Sequence, residues 1–437
     1  MTRKHLLTAL WLVGLMAYCL AGTPLTPFHG DESTQIYMSR DYAYQFIEGE
    51  PARLAYDPAH PSPQEQDLRL INGTLPKYLI GLAWHGAGFS VEDLNEQWDW
   101  GADWDYNHAT GHAPSAELLL VARWSSAVFL AAGVLLMFGL GQQLGGAPVA
   151  YLASAYYALN PALLLNGRRA MMEGALIFFS LLVVVMGLWF LRRRSWPAAL
   201  GLGIASGLCI ASKHTGIVTV GSVIGAIGLW LLWEARTPQT RREALMGFIR
   251  LVGAGLSLCL SFYALNPAWW GQVQAVVPLI LQMRTDLLQT QTALFGQYAD
   301  FGAQAAGFFR QVFVGLPQYY EVAGWDGPLA AQITQAEASG LMGIHFGGSA
   351  WGGGLLLALT LYGIGCLWRS ARLISVRWLI SLWGLGLFVL TFFITPLEWQ
   401  RYYLPILPFI GLMAALGLGQ ILAIGWRRLH NNRAKAE

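Results

Sequence analysis

Phe28-His29-Gly30-Asp31-Glu32 sets two adjacent carboxylates beside a histidine and a glycine. Such a group can act as a general base, as a ligand set for a divalent metal ion, or as both. The plainer alternative is an acidic turn facing water. Five cations stand in positions that oppose the charge trend of the chain: Lys77, Arg123, Arg168, Lys213 and Arg401. Each needs a partner, either a protein carboxylate or an anionic ligand such as a phosphate. Singly, snorkelling or an ion pair accounts for them; as a set converging on one face they make a phosphate clamp.

Three further groups could contact a ligand. Trp98-Asp99-Trp100 and Asp103-Trp104-Asp105-Tyr106 combine ring faces with carboxylates, as sugar-binding surfaces do, so Trp100, Trp104 and Asp105 are candidate sugar or acceptor contacts. Interface anchoring explains the tryptophans equally well. Glu173 and Glu398 join them as candidates, Glu173 after Arg168-Arg169 and Glu398 within Glu398-Trp399-Gln400-Arg401-Tyr402-Tyr403. His108 and His112 are four apart, but Gly111 and Pro114 argue against the helix that would align them on zinc. Asn72-Gly73-Thr74 fits a glycosylation acceptor, though Gly73 reads better as a turn.

These residues must be positioned by membrane helices. In 437 residues, 55% are hydrophobic and only 12% charged, about half the charge of a soluble domain. The apolar residues come as ten separate stretches: 6–22, 118–140, 148–165, 170–191, 197–211, 216–233, 248–265, 349–368, 378–394 and 404–426. A large water-soluble enzyme is thereby excluded. The expected fold is an all-α polytopic membrane protein of about ten transmembrane helices. The net charge of +2 argues against a nucleic-acid partner.

Placing the N-terminus inside collects Arg3, Lys4, Arg192–Arg194, Arg236, Arg241, Arg242, Arg250, Arg369, Arg372, Arg377, Arg427, Arg428, Arg433 and Lys435 on one face, against only Glu234, Glu243 and Glu437. The positive-inside rule assigns that face to the cytoplasm, and both termini with it. The implied organisation is a first transmembrane helix (1–22), an outer loop carrying the acidic motif and a juxtamembrane helix (23–117), helices two to seven (118–265), an outer helical loop (266–348), helices eight to ten (349–426) and a basic cytoplasmic tail (427–437). A cleaved signal peptide is the alternative for the first stretch, since Cys19-Leu20-Ala21 offers a cleavage site. The charged cluster from His29 onward needs an anchor and favours a retained helix. Residues 75–85 read as a helix along the interface with Pro76 in its first turn, and the Gln-rich second loop as amphipathic helices. The four cysteines fall in apolar stretches, so no disulfide is expected. No Gly-rich phosphate loop, Gly-x-Ser-x-Gly elbow or paired CxxC occurs.

The order of these motifs resembles integral-membrane glycosyltransferases that use a polyprenyl-phosphate sugar, the C-type family of protein O-mannosyltransferases and lipid A aminoarabinose transferases. Asp31-Glu32 is similar to the family's acidic pair, whose first carboxylate is catalytic. Gly73-Thr74-Leu75-Pro76-Lys77-Tyr78-Leu79 resembles its Pro-rich, Lys-containing segment, with one proline where two are usual. Asn166 to Glu173, Ala211-Ser212-Lys213-His214-Thr215 and Trp399-Gln400-Arg401-Tyr402-Tyr403-Leu404-Pro405 resemble its Arg-acid, Lys-turn and Arg-Tyr-x-x-Pro segments, with Glu173 where the mannosyltransferases more often carry Asp. The resemblance implies an inverting transfer from a polyprenyl-phosphate sugar to a hydroxyl of a protein, lipid or glycan. It implies Asp31 as base, the five cations on the donor phosphate, and an outer-face site in the bacterial inner membrane. A divalent metal ion held by His29, Asp31 and Glu32 stays open. A flippase or transporter of lipid-linked glycans, or a glycan polymerase or ligase, is the rival; the suspicious charges lie at outer helix ends rather than at depth, which favours a transferase.

Overall fold

A computed structural model describes residues 3–59, 62–322, 324–370 and 374–433. Arg372, Lys435 and Glu437, which enter the charge asymmetry, lie outside the described residues. Among the described residues there are helices and no strand. In a bilayer only such closed hydrogen bonding leaves no backbone group bare.

The first segment is α1 (Arg3–Ala21), followed by four short helices of the first loop, α2 (Gly30–Met38), α3 (Pro63–Ile71), α4 (Thr74–Gly86) and α5 (Trp104–Ala109). A central block comprises α6 (Ala116–Gly145), α7 (Ala147–Leu159), α8 (Pro161–Arg168), α9 (Glu173–Arg193), α10 (Trp196–Ser212), α11 (Gly216–Ala235) and α12 (Pro238–Leu265). The second loop folds as α13 (Val273–Phe295), α14 (Phe301–Phe309) and α15 (Asp326–Ala338). The chain ends in α16 (Ala350–Arg369), α17 (Ile374–Phe388), α18 (Gln400–Tyr403) and α19 (Leu407–Arg433).

Among the described residues, eight helices are long and apolar enough to cross a membrane: α1, α6, α9, α11, α12, α16, α17 with its wider final turn, and the α18–α19 unit. The protein is therefore a multi-pass membrane protein. The other two expected stretches take a different form. α10 is apolar but has only 17 residues. Stretch 148–165 is divided, because Pro161 has no N–H to continue α7, and the Asn160 side chain accepts from Leu163 N (3.1 Å) to start α8 afresh.

Helix packing relies on small residues, since lipid offers no hydrophobic drive for helices to associate. On α10, Gly203 and Gly207 face Ala254, Ser257 and Ser261 of α12, and Gly363 of α16 lies against Met413 and Gly417 of α19. α6 packs on α7 and α9, and α11 on α17. α4 forms with Pro76 in its first turn, as expected, and buries Lys77, Tyr78, Ile80 and Trp84 against α2, α6 and α10.

The two long loops are tied to each other. Phe28 N donates to Gln332 Oε1 (2.9 Å), Gln272 Nε2 donates to the Tyr56 carbonyl (3.1 Å), and Arg284 donates to the Ile71 carbonyl. α15 of the second loop lies against residues 23–25 at the end of α1, and those residues pack on α6.

Candidate active site

α2 begins in a capping box. The His29 ring nitrogen Nδ1 accepts from Asp31 N (3.1 Å) and Glu32 Oε2 accepts from His29 N (3.1 Å), so the first turn carries both carboxylates at the positive end of the helix. The two acids then part. Glu32 is fully buried and takes Arg123 in a two-pronged pair, Nε to Oε1 and Nη2 to Oε2, both 2.8 Å, with Ala170 N adding a third bond at 2.8 Å. Burial raises its affinity for a proton, but Arg123 outweighs burial and holds the carboxyl below the usual range. Asp31 keeps a quarter of its side chain exposed and pairs with Arg401.

His29 is buried, and its Nε2 lies 2.6 Å from Glu321 Oε2, a carboxylate from the second loop. Because Nδ1 is an acceptor, the proton sits on Nε2 and is donated to Glu321. Burial, with Arg169 and Arg401 nearby, holds the imidazole well below its ordinary value. Burial pushes Glu321 up to about 7. The other Glu321 oxygen lies 3.7 Å from Arg401 Nε, which is itself buried without a hydrogen-bond partner among the described residues.

The expected cations divide. Arg401 and Lys213 lie within the cluster, Lys213 bonded to Glu173 Oε1 (2.7 Å) with its Nζ 5.7 Å from the Tyr402 ring. The second oxygen of Glu173 is buried without a partner among the described residues. Arg123 is committed to Glu32. Lys77 is fully buried on Asp41 (3.1 Å), which also holds Arg69 (2.8 Å). Arg168 departs from the phosphate role: it donates to the carbonyls of Tyr18 (2.7 Å), Cys19 (2.7 Å) and Leu341 (2.6 Å), capping the end of α1. Three carbonyls are what a guanidinium finds when it is buried without a carboxylate.

The metal reading of His29, Asp31 and Glu32 as one ligand set is corrected by the same geometry. Glu32 spends both oxygens on Arg123, Ala170 and His29, and both nitrogens of His29 are engaged. Among the described residues no group of three or more His, Cys, Asp or Glu side chains is arranged to hold a metal ion.

Trp100 is about half exposed, stacks on Trp325 (centroids 5.7 Å, planes 3° apart), and overhangs Gly30. A Cβ at Gly30 would meet the rims of both rings at 2.9 Å, so glycine is needed beside Asp31. Trp104 belongs to the cluster behind this pair, with Phe28 and Trp98. Asp105 is exposed, and Glu398 is held by Arg310 (2.9 and 2.6 Å). Three participants carried no sequence signal: Glu321, Trp325 and Arg284; Arg169, seen in the sequence only as the neighbour of Arg168, donates to the carbonyls of Pro27 (3.1 Å) and Tyr319 (2.6 Å). Arg284 lies near His214, whose buried ring is held down at about 3 by burial, Arg284 and Lys77.

Residues 73–266 match the model of the dolichyl-phosphate-mannose-protein mannosyltransferase family. Among solved structures, ArnT from Cupriavidus metallidurans in the apo state is similar at a TM-score of 0.54 and 13% identity, over 98% of this chain and 62% of that one. The oligosaccharyltransferase of Archaeoglobus fulgidus, tethered with an acceptor peptide containing the NVT sequon, gives 0.53 and 13%, over 97% and 51%. Both likenesses show the fold, the C-type glycosyltransferase fold. The chain spans about three fifths of the length of the first of these proteins. No curated protein matches it by sequence.

Proposed function

We propose that this chain, which carries the mannosyltransferase family's segment at residues 73–266 on the C-type fold, is an inverting membrane glycosyltransferase. It moves a sugar from a polyprenyl-phosphate donor to a hydroxyl of a protein, lipid or glycan. The observation that carries the reading is the difference among four clustered carboxylates: Glu32, Glu173 and Glu321 are 0%, 1% and 5% exposed, whereas Asp31 is 25% exposed. Only a base that reaches the site's opening can meet an incoming hydroxyl.

In the reaction the acceptor O–H gives its proton to Asp31 as the oxygen attacks the anomeric carbon from the side opposite the phosphate. The carbon–oxygen bond to the phosphate breaks, and its electron pair leaves on the lipid phosphate. No general acid is needed, because that leaving group is already an anion stabilised by nearby cations. Arg401 and Lys213 are best placed to supply that stabilisation, with Trp100 beside Gly30 as a ring face for the sugar or acceptor. We place the site on the outer face of a bacterial inner membrane, with both termini cytoplasmic.

The test is Asp31→Asn, supplied with labelled polyprenyl-phosphate sugars and lipid, protein and glycan fractions. Asn keeps the size of Asp but cannot take the proton, so transfer should be abolished with folding and donor binding retained. Wild-type-like transfer by this variant would remove Asp31 from the mechanism. A purified wild-type protein that yields no glycosidic product from any donor would favour a flippase.

A further inference from the structure

Glu321 lies 292 residues from His29 in the chain yet meets it at 2.6 Å, inside a side chain that is 5% exposed. His29 holds the Asp31 backbone N–H through Nδ1 and approaches Asp31 Oδ2 at 3.9 Å. The other Glu321 oxygen faces Nε of Arg401, the cation paired with Asp31. One carboxylate from the second loop therefore contacts both groups that flank Asp31, without reaching Asp31 itself.

We infer that Glu321 is a positioning residue, through which the second outer loop sets the placement of Asp31 by holding the His29 ring and the Arg401 guanidinium. A buried histidine whose Nε2–H had no acceptor would lose a hydrogen bond and could turn, taking the first turn of α2 with it. The helix cap that aims Asp31 is thus completed from outside its own segment. Trp325, four residues on, stacks on Trp100, and Gln332 holds Phe28 N, so Glu321 lies in a docked stretch and not on a free tip.

Neutral glutamine is the informative substitution. Burial pushes Glu321 up, which lowers the cost of an uncharged side chain in its place. The Gln oxygen can accept from His29 Nε2–H in the same way.

The inference rests on the transferase reading, and the experiment separates the two. Transfer from labelled polyprenyl-phosphate sugar is measured for wild type, Asp31→Asn, Glu321→Ala, Glu321→Gln, His29→Ala and the His29→Ala/Glu321→Ala double variant, each checked for folding by its melting temperature in detergent. Glu321→Ala should lower the rate at saturating donor about 10- to 100-fold while the donor concentration for half rate stays within about 2-fold, since misaligning a base affects turnover more than binding. Glu321→Gln should recover most of that loss. The double variant should lose clearly less than the product of the two single losses, because Glu321 acts in part through His29 and in part through Arg401. Wild-type turnover in Glu321→Ala, a Gln variant as slow as Ala, or additive losses in the double variant would each overturn the inference while Asp31→Asn still reports on the base. No transfer by the wild type would overturn both.

Discussion

Asp31 and Glu32 are neighbours in the chain with opposite assignments, and the difference comes from what each side chain meets. Glu32 meets a guanidinium whose fork matches both its oxygens, in a site closed to water, and on the proposed reading that pair serves the fold. Removing the charge with Glu32→Gln leaves Arg123 buried without its counter-ion, which should cost about 3–5 kcal/mol. The check is the melting temperature in detergent, where Asp31→Asn should stay near wild type and Glu32→Gln should fall clearly. Equal melting of the two would return Glu32 to a direct role in the chemistry. The pH dependence has a definite sign. Since the folded carboxyl lies below its unfolded value, the stabilisation by Glu32 is present above that unfolded value and lost only as pH falls through the depressed one. A melting series from about pH 7 to about pH 3 should show the wild type holding through the ordinary carboxylate range and Glu32→Gln lacking that acid-linked loss.

At the scale of the elements, the site depends on α4 and α10 approaching closely. A Cβ on Gly73, at the start of α4, would strike the Ser212 carbonyl at the end of α10. Gly73 is thus required for contact, with an ordinary φ of −64°, rather than for the turn that its sequence setting suggests. Gly73→Ala should force these helix ends apart, shifting Lys77 on one and Lys213 beyond the other, and cost about 1–3 kcal/mol. It should also weaken donor affinity, measured by binding of a labelled polyprenyl-phosphate sugar; unchanged melting and affinity would show that the contact yields freely. The helices were legible in the sequence because hydropathy is a local property: eight of ten apolar stretches became spanning-length helices, and Pro161 and Pro76 sit where a proline belongs. The partners of the buried cations were not legible. That Arg168 finds carbonyls of α1, or that Lys77 finds Asp41, depends on which helix ends meet, and no periodicity records it. The acidic pair was visible as a motif, while Glu321 lay in an undistinguished stretch, Gln318-Tyr319-Tyr320-Glu321.

For the whole molecule, the cluster fixes a common end for several helices: Glu32, Arg123, Ala170, Glu173, Lys213 and Arg401 can meet only if the starts of α6, α9 and α18 and the end of α10 lie together. The opposite end of α9 carries Arg194, paired with Glu234 at the end of α11 (2.6 Å). A 21-residue helix separates these ends by about 30 Å, the thickness of a hydrocarbon core. Reporters fused after Arg194 or Arg242 should therefore report cytoplasm, and reporters within residues 92–111 or 289–304 the exterior. An external signal at Arg242 would break the proposed orientation and put the cluster on the wrong side.

The long reach of the contacts around Asp31 also imposes an order in time. A ribosome releases Asp31 and Glu32 early, Arg123 91 residues after Glu32, and Arg401 370 residues after Asp31. The Glu32–Arg123 pair can close while most of the chain is still unmade, whereas Asp31 waits for Arg401 until nearly the last helix has been threaded. A nascent chain can thus anchor Glu32 well before Asp31 meets its partner, and synthesis itself leaves Asp31 without its cation until the protein is almost whole.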